Sequence, residues 1–144
     1  MDSPDKNRLL RSVLIDTPVW QEYFRKEEYT YQEVNALIDA GRVSCLDLIV
    51  AELIHTAETE EERKVFQDFS RIFPILQEKP GTWVEAARLA SKLRQKGKKI
   101  PLRDLYIAFM AISHEVFLYT TNKAVYKACR AMGLKLFPEG GSFP

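Results

Sequence analysis

Short apolar runs alternate with longer amphipathic stretches along this chain, and that alternation limits the fold more than any other feature. The runs are Ser12-Val13-Leu14-Ile15, Val43-Ser44-Cys45-Leu46, Phe73-Pro74-Ile75-Leu76, Val116-Phe117-Leu118-Tyr119 and Leu134-Lys135-Leu136-Phe137. Each is too short for a helix. Most lack the polar-apolar alternation of a strand with one wet face, so they read as strands covered on both sides. The proline in the Phe73 run marks it as an edge or a strand end. Strands that alternate with helices form parallel sheets, because a parallel pair needs a crossover between its members. The predicted fold class is therefore α/β, a three-layer α/β/α sandwich with a central parallel sheet.

The intervening segments carry helix punctuation. Thr17 is placed to cap a helix, with Pro18 at its first position and Val19, Trp20, Tyr23 and Phe24 following. A second helix is predicted from Tyr31 to Ala40, stopped by Gly41 as a C′ residue. Asp47 is expected to cap a third, from Leu48 to Ala57, and residues 58–71 form an amphipathic fourth. Thr82 to Gln95 is a helix ended by Gly97. Pro101 opens a strongly apolar one through Ser113, and residues 122–132 form the last, ended by Gly133. At 144 residues the chain has the size of one domain. No linker or repeat divides it, so 1–144 is read as a single domain with a flexible Pro/Gly-rich tail over 138–144.

Charge and cysteine content remove several classes of function. With 21 Lys+Arg against 20 Asp+Glu the chain is not polybasic, although a local basic strip still suffices to bind phosphates. Cys45 and Cys129 form no CxxC and have no metal-ligand spacing to His55 or His114. They read as free, buried thiols. Glu52 and His55 share a helix face, but a di-iron site needs a second such motif and two more glutamates. P-loop, GxSxG and dinucleotide motifs are missing. The N-terminus has no signal-peptide pattern and no segment nears membrane-spanning length, so a cytoplasmic protein without membrane contact is expected.

Three carboxylates then stand out. Asp16 ends an apolar strand, Glu52 interrupts Leu48-Ile49-Val50-Ala51-Glu52-Leu53-Ile54, and Asp104 lies within a mostly apolar helix. A buried carboxylate is costly unless paired or bound to a metal. Each has an ordinary explanation: Asp16 as an acceptor at a strand-to-helix turn, Glu52 on a solvent face, Asp104 as a cap or the partner of Arg103. Taken together they suggest a site. Parallel α/β sheets bind ligands beyond the carboxyl ends of their strands, where Asp16 and Thr120-Thr121-Asn122 fall. Converging carboxylates suit Mg²⁺ or Mn²⁺, and such ions serve phosphodiester hydrolysis.

The ordered set Val13-Leu14-Ile15-Asp16-Thr17-Pro18-Val19-Trp20, Ala51-Glu52-Leu53, Pro101-Leu102-Arg103-Asp104-Leu105-Tyr106-Ile107-Ala108 and Leu118-Tyr119-Thr120-Thr121-Asn122 resembles a PIN domain of the VapC toxin type. The resemblance covers nearly the whole chain. It implies a parallel sheet between helices, Mg²⁺- or Mn²⁺-dependent cleavage of RNA, control by a cognate antitoxin protein, and a homodimer. By position it makes Asp16, Glu52 and Asp104 the catalytic and metal-binding acids. Thr120 matches the threonine two residues before the family's fourth acid. Asn122 stands in place of that acid, with a carbonyl oxygen but no charge, and Ala124 where a further aspartate often follows. Pro18 replaces a small polar residue.

Lys92, Arg94, Lys96, Lys98 and Lys99, with Arg103 beyond, are the one dense cationic stretch. It is either a solvated helix end suited to the C-terminal dipole or an edge that contacts phosphates. The candidate substrate-binding residues are Thr17, Thr120, Arg103, Lys98 and Lys99. Trp20, Tyr106 and Tyr119 are either core residues or stacking platforms for unpaired bases. Two functions from different classes are compatible with this reading: a toxin-type metal-dependent endoribonuclease, or a catalytically degenerate PIN domain that binds RNA or a protein partner. A receiver-like phosphotransfer domain lacks the paired acids it needs after the first strand.

Overall fold

A computed structural model describes residues 12–138. Its four strands are all parallel and lie in the order β2-β1-β3-β4. They are β1 (Val13–Ile15), β2 (Val43–Ser44), β3 (Phe117–Tyr119) and β4 (Lys135–Leu136). The helices are α1 (Thr17–Phe24), α2 (Glu28–Asp39), α3 (Asp47–Thr56), α4 (Glu60–Gln67), α5 (Phe69–Ile72), α6 (Thr82–Gln95), α7 (Leu102–Ser113) and α8 (Lys123–Lys127), with a 3₁₀ turn at Arg130–Met132. Val13, Leu14 and Ile15 are all fully buried, so helices cover both faces of the sheet, as the uninterrupted apolar run requires. The α/β/α sandwich expected from the sequence is the fold observed. None of the described helices is long and apolar enough to cross a membrane. The expected tail falls almost wholly outside the described residues.

Strand order fixes where a site can be. From β1 the chain crosses to β2 on one side, then returns past β1 to β3 on the other. The crevice at such a reversal opens beyond the carboxyl ends of the two central strands. Register brings Ile15 beside Tyr119, which sets Asp16 next to Thr120. The Asp16 amide donates to the Tyr119 carbonyl at 2.9 Å and extends the ladder by one bond.

Helix ends differ from the expectation in instructive places. Asp16, not Thr17, is the N-cap of α1, and its Oδ1 accepts from the Thr17 amide at 2.8 Å. Thr17 and Pro18 are therefore the first two helical residues. Asp47 does not cap α3: Leu46 is the N-cap and Asp47 lies in the first turn, where a negative charge still suits the dipole. The predicted helix over 58–71 is broken at Asp68 into α4 and α5. The Phe73 run forms only a single parallel bridge, Cys45 with Ile75, through bonds from the Cys45 amide to Pro74 and from the Leu76 amide to Cys45. Gly41 and Gly97 stop α2 and α6 as expected. Each has a positive φ and closes a Schellman motif: the Arg42 amide reaches the Leu37 carbonyl, and the Lys98 amide reaches that of Leu93.

Candidate active site

Asp16 is placed by two independent constraints. It is the first residue past β1 and the cap of α1, so its carboxylate is fixed where strand turns into helix. Only 1% of Asp16 is exposed. Its Oδ2 accepts from the Thr120 hydroxyl at 2.9 Å, and the Thr120 Oγ1 in turn accepts from the Asn122 amide at 3.1 Å. The ordinary role as a turn acceptor and the site role therefore coincide in one side chain.

Glu52 projects from the middle of α3 and Asp104 from the first turn of α7. Both meet Asp16 through one residue, Arg103. Its Nη2 lies 2.8 Å from Asp16 Oδ1 and 2.7 Å from Glu52 Oε1, its Nε 2.6 Å from Glu52 Oε2, and its Nη1 2.7 Å from Asp104 Oδ1. Thr17 adds a hydroxyl that donates to Glu52 Oε1 at 2.5 Å. The Tyr126 hydroxyl donates to Asp104 Oδ1 at 3.1 Å. Three acids widely separated in sequence thus converge on a single guanidinium.

The electrostatics follow from that geometry. Burial works against an ionised Glu52, but hydrogen bonds from Arg103 and Thr17 outweigh it and hold the carboxyl below its usual range. Burial also opposes the charge on Arg103, and the hydrogen bonds it donates to Glu52, Asp16 and Asp104, with their negative charge, more than offset it, so the guanidinium is held more firmly protonated than a free arginine. Burial and the neighbouring acids Asp16 and Asp104 raise the Tyr126 hydroxyl above its ordinary value, so it remains a neutral donor. Three carboxylates and one guanidinium leave a formal excess of two negative charges.

Such a donor set suits a divalent cation in kind: hard, mostly carboxylate oxygens with uncompensated negative charge. Among the described residues, no three acidic, histidine or cysteine side chains stand in metal-ligating geometry as placed, because the guanidinium separates the oxygens. The Asn122 side chain is exposed, and no hydrogen bond among the described residues joins it to the acids.

The other sequence candidates divide. Arg103, read both as a partner of Asp104 and as part of a phosphate-contacting edge, pairs with Asp104 and also with Asp16 and Glu52, since three buried or half-buried carboxylates are the stronger attraction. Lys98 and Lys99 are exposed and, with Lys127, Ile100, Ala124, Val125 and Ala128, line a shallow depression of about 550 Å³. Trp20, Tyr106 and Tyr119 do not form a stacking platform: all three are buried. Trp20 packs against Phe69 and Phe73, Tyr106 stacks on Trp83 at 3.8 Å, and the Tyr119 hydroxyl donates to Glu33. Cys45 and Cys129 are free and buried. Tyr126 was not singled out in the sequence. The available signal was a phenol inside a helical stretch, which when buried needs a hydrogen-bond partner.

The PIN domain matches over residues 13–131. Ribonuclease VapC1 of Methanocaldococcus jannaschii is 26% identical over 127 residues, covering 88% of each chain. Among solved structures, the VapBC2 complex of Rickettsia felis bound to a promoter DNA fragment superposes with a TM-score of 0.64 at 21% identity, over 81% of this chain and 91% of that one. VapBC-1 of nontypeable Haemophilus influenzae gives 0.64 at 19% identity, over 86% and 95%. FitAcB of Neisseria gonorrhoeae gives 0.61 at 22%, over 82% and 93%. The structural likenesses establish the fold, and the family match spans most of the sequence, both central strands and all three acids: the chain belongs to the PIN domain family.

Proposed function

We propose that the protein is a metal-dependent endoribonuclease of the toxin type, restrained by a cognate antitoxin protein. The observation that carries this reading is the convergence of Asp16, Glu52 and Asp104 beyond the carboxyl ends of β1 and β3. The likeness to Ribonuclease VapC1 supports RNA as substrate. The toxin–antitoxin complex of Klebsiella pneumoniae, at a TM-score of 0.64 and 17% identity, and the VapBC complexes support an antitoxin partner.

Asp16, Glu52 and Asp104 would hold Mg²⁺ or Mn²⁺, with Asn122 near enough in the chain to serve through a bridging water. When bound, such an ion lowers the pKa of water and offsets charge that develops on a phosphodiester. The chain's own groups do the positioning. Thr120 and the Thr17 amide fix the Asp16 carboxylate, the Thr17 hydroxyl fixes Glu52, and Tyr126 fixes Asp104. Lys98, Lys99 and Lys127, which line one depression, offer cations to the RNA backbone. Exposed Phe24, Tyr31, Val65 and Ile72 on α1, α2, α4 and α5 support a homodimer formed through those helices.

The test is cleavage of a mixed single-stranded RNA by partner-free protein with Mg²⁺, Mn²⁺ or EDTA. Cuts that need the ion and vanish in Asp16→Asn are expected. Undiminished cleavage by Asp16→Asn would remove the site from the reaction. Silence of the wild type, with activity restored by Asn122→Asp, would replace the enzyme with a binding domain.

A further inference from the structure

The acid cluster already has a cation, supplied by the protein itself. A guanidinium presents five N–H donors in a rigid plane. Arg103 uses Nε and Nη2 as a fork on Glu52, Nη2 also on Asp16, and Nη1 on Asp104. It therefore touches every acid assigned to the ion, and the Thr17 hydroxyl as well at 3.2 Å. The side chain is 29% exposed, which leaves a route for its head to reach solvent. It springs from the first turn of α7, immediately before Asp104.

A divalent ion and this guanidinium need the same oxygens in incompatible arrangements. Mg²⁺ draws its donors to about 2.0–2.1 Å from one centre. The guanidinium instead keeps the three carboxylates around its rim, each 2.6–2.8 Å from a nitrogen. We propose that Arg103 is a built-in competitor for the divalent ion: it offsets part of the acids' charge and orders them while no ion is bound, and it must swing out for an ion to bind. This inference rests on the reading of the three acids as the metal site. Apparent ion affinity is then scaled down by the fraction of time the guanidinium is away from the acids. The protein would be ordered without metal and would load only where the ion is plentiful.

The test is a Mn²⁺ titration by calorimetry on the full chain, comparing wild type, Arg103→Leu and Arg103→Lys, with an NMR measurement on the wild type. Arg103→Leu should bind Mn²⁺ at least about ten-fold more tightly. Arg103→Lys, which keeps the charge but loses the fork, should fall between the two. In the wild type, the Arg103 Nε–H should be protected from exchange without metal and lose that protection as Mg²⁺ saturates. A simple charge effect would tighten Arg103→Leu alone, leaving Arg103→Lys at wild-type affinity and the Nε–H protected, and would overturn the proposal. If Arg103→Leu does not fold, the lysine variant and the wild-type resonance decide. Equal Mn²⁺ affinity in all three proteins refutes the competition but leaves the nuclease reading standing. Mn²⁺ uptake by none of them removes the metal site itself, and both fall.

Discussion

Replacing Thr120 by valine isolates the contact that joins the two central strands at the site. Valine has nearly the same shape, so the buried volume is kept and only the hydroxyl is lost. Two bonds go with it: the one donated to Asp16 Oδ2 at 2.9 Å and the one accepted from the Asn122 amide at 3.1 Å. The first is made to an ionised, 1%-exposed carboxylate, and hydrogen bonds to charged groups contribute about 1.5–3 kcal/mol. The second contributes less, because residues 121–124 are exposed and water can replace the hydroxyl. Asp16 keeps its bonds from Arg103 and the Thr17 amide, so its charge is not left unpaired. The expected loss is about 2–3 kcal/mol, which lowers the folding equilibrium constant by roughly 30- to 150-fold. Urea unfolding should show a lower midpoint with an unchanged slope. Thr120→Ser keeps the hydroxyl and should lose no more than about 1 kcal/mol, for the missing methyl. A loss below about 0.5 kcal/mol in Thr120→Val, or equal losses in both variants, would refute the view that this hydroxyl anchors Asp16.

Further outcomes follow from other parts of the structure. Tyr126→Phe should cost about 1 kcal/mol and slow RNA cleavage, because Asp104 loses its bond from that hydroxyl; unchanged rates would show that Tyr126 does not position Asp104 for the reaction. Glu52 has a lowered carboxyl pKa, so its stabilising contribution is complete above its unfolded value and is lost as pH falls through the folded one. Urea midpoints of the wild type should drop below about pH 4 more steeply than those of Glu52→Gln. Burial pushes the Cys45 thiol up to about 12 and raises that of Cys129, so a thiol reagent at about pH 8 should label neither until the protein unfolds. Glu115 ends α7 with a φ of 56°, a conformation better suited to glycine. Glu115→Gly should therefore stabilise the protein by about 0.5–1 kcal/mol in the same urea assay.

The sequence carried the architecture well because its signals are local. A fully apolar run such as Val13-Leu14-Ile15 states that both faces are covered, and glycines at positions 41 and 97 mark helix ends through backbone freedom alone. Boundaries were less legible where two residues suit one role. Asp16 and Thr17 are both good caps, and the first of them took the position because it also ends the strand. The Phe73 run was read as a strand, yet only one bridge forms around Pro74, which has no amide to donate. At the site, the three acids were visible as charges in apolar surroundings. The place of Arg103 was visible only in part: its pairing with the adjacent Asp104 was one reading, but as the neighbour of a lysine-rich stretch it also resembled one more phosphate contact. That it reaches Asp16 and Glu52, 87 and 51 residues away in sequence, depends on tertiary packing that brings the end of β1, α3 and the first turn of α7 together. Tyr126 was hidden for the same reason. Local pattern shows that a phenol will be buried but not which acid it will face.

The most direct test of the central claim is a crystal structure of the protein grown with Mn²⁺, with the ion located by its anomalous signal. One peak is expected, ligated by Asp16, Glu52 and Asp104 at the carboxyl ends of β1 and β3, with the Arg103 guanidinium withdrawn from the acids. A peak elsewhere, or Arg103 still bridging the three carboxylates at saturating Mn²⁺, would contradict it.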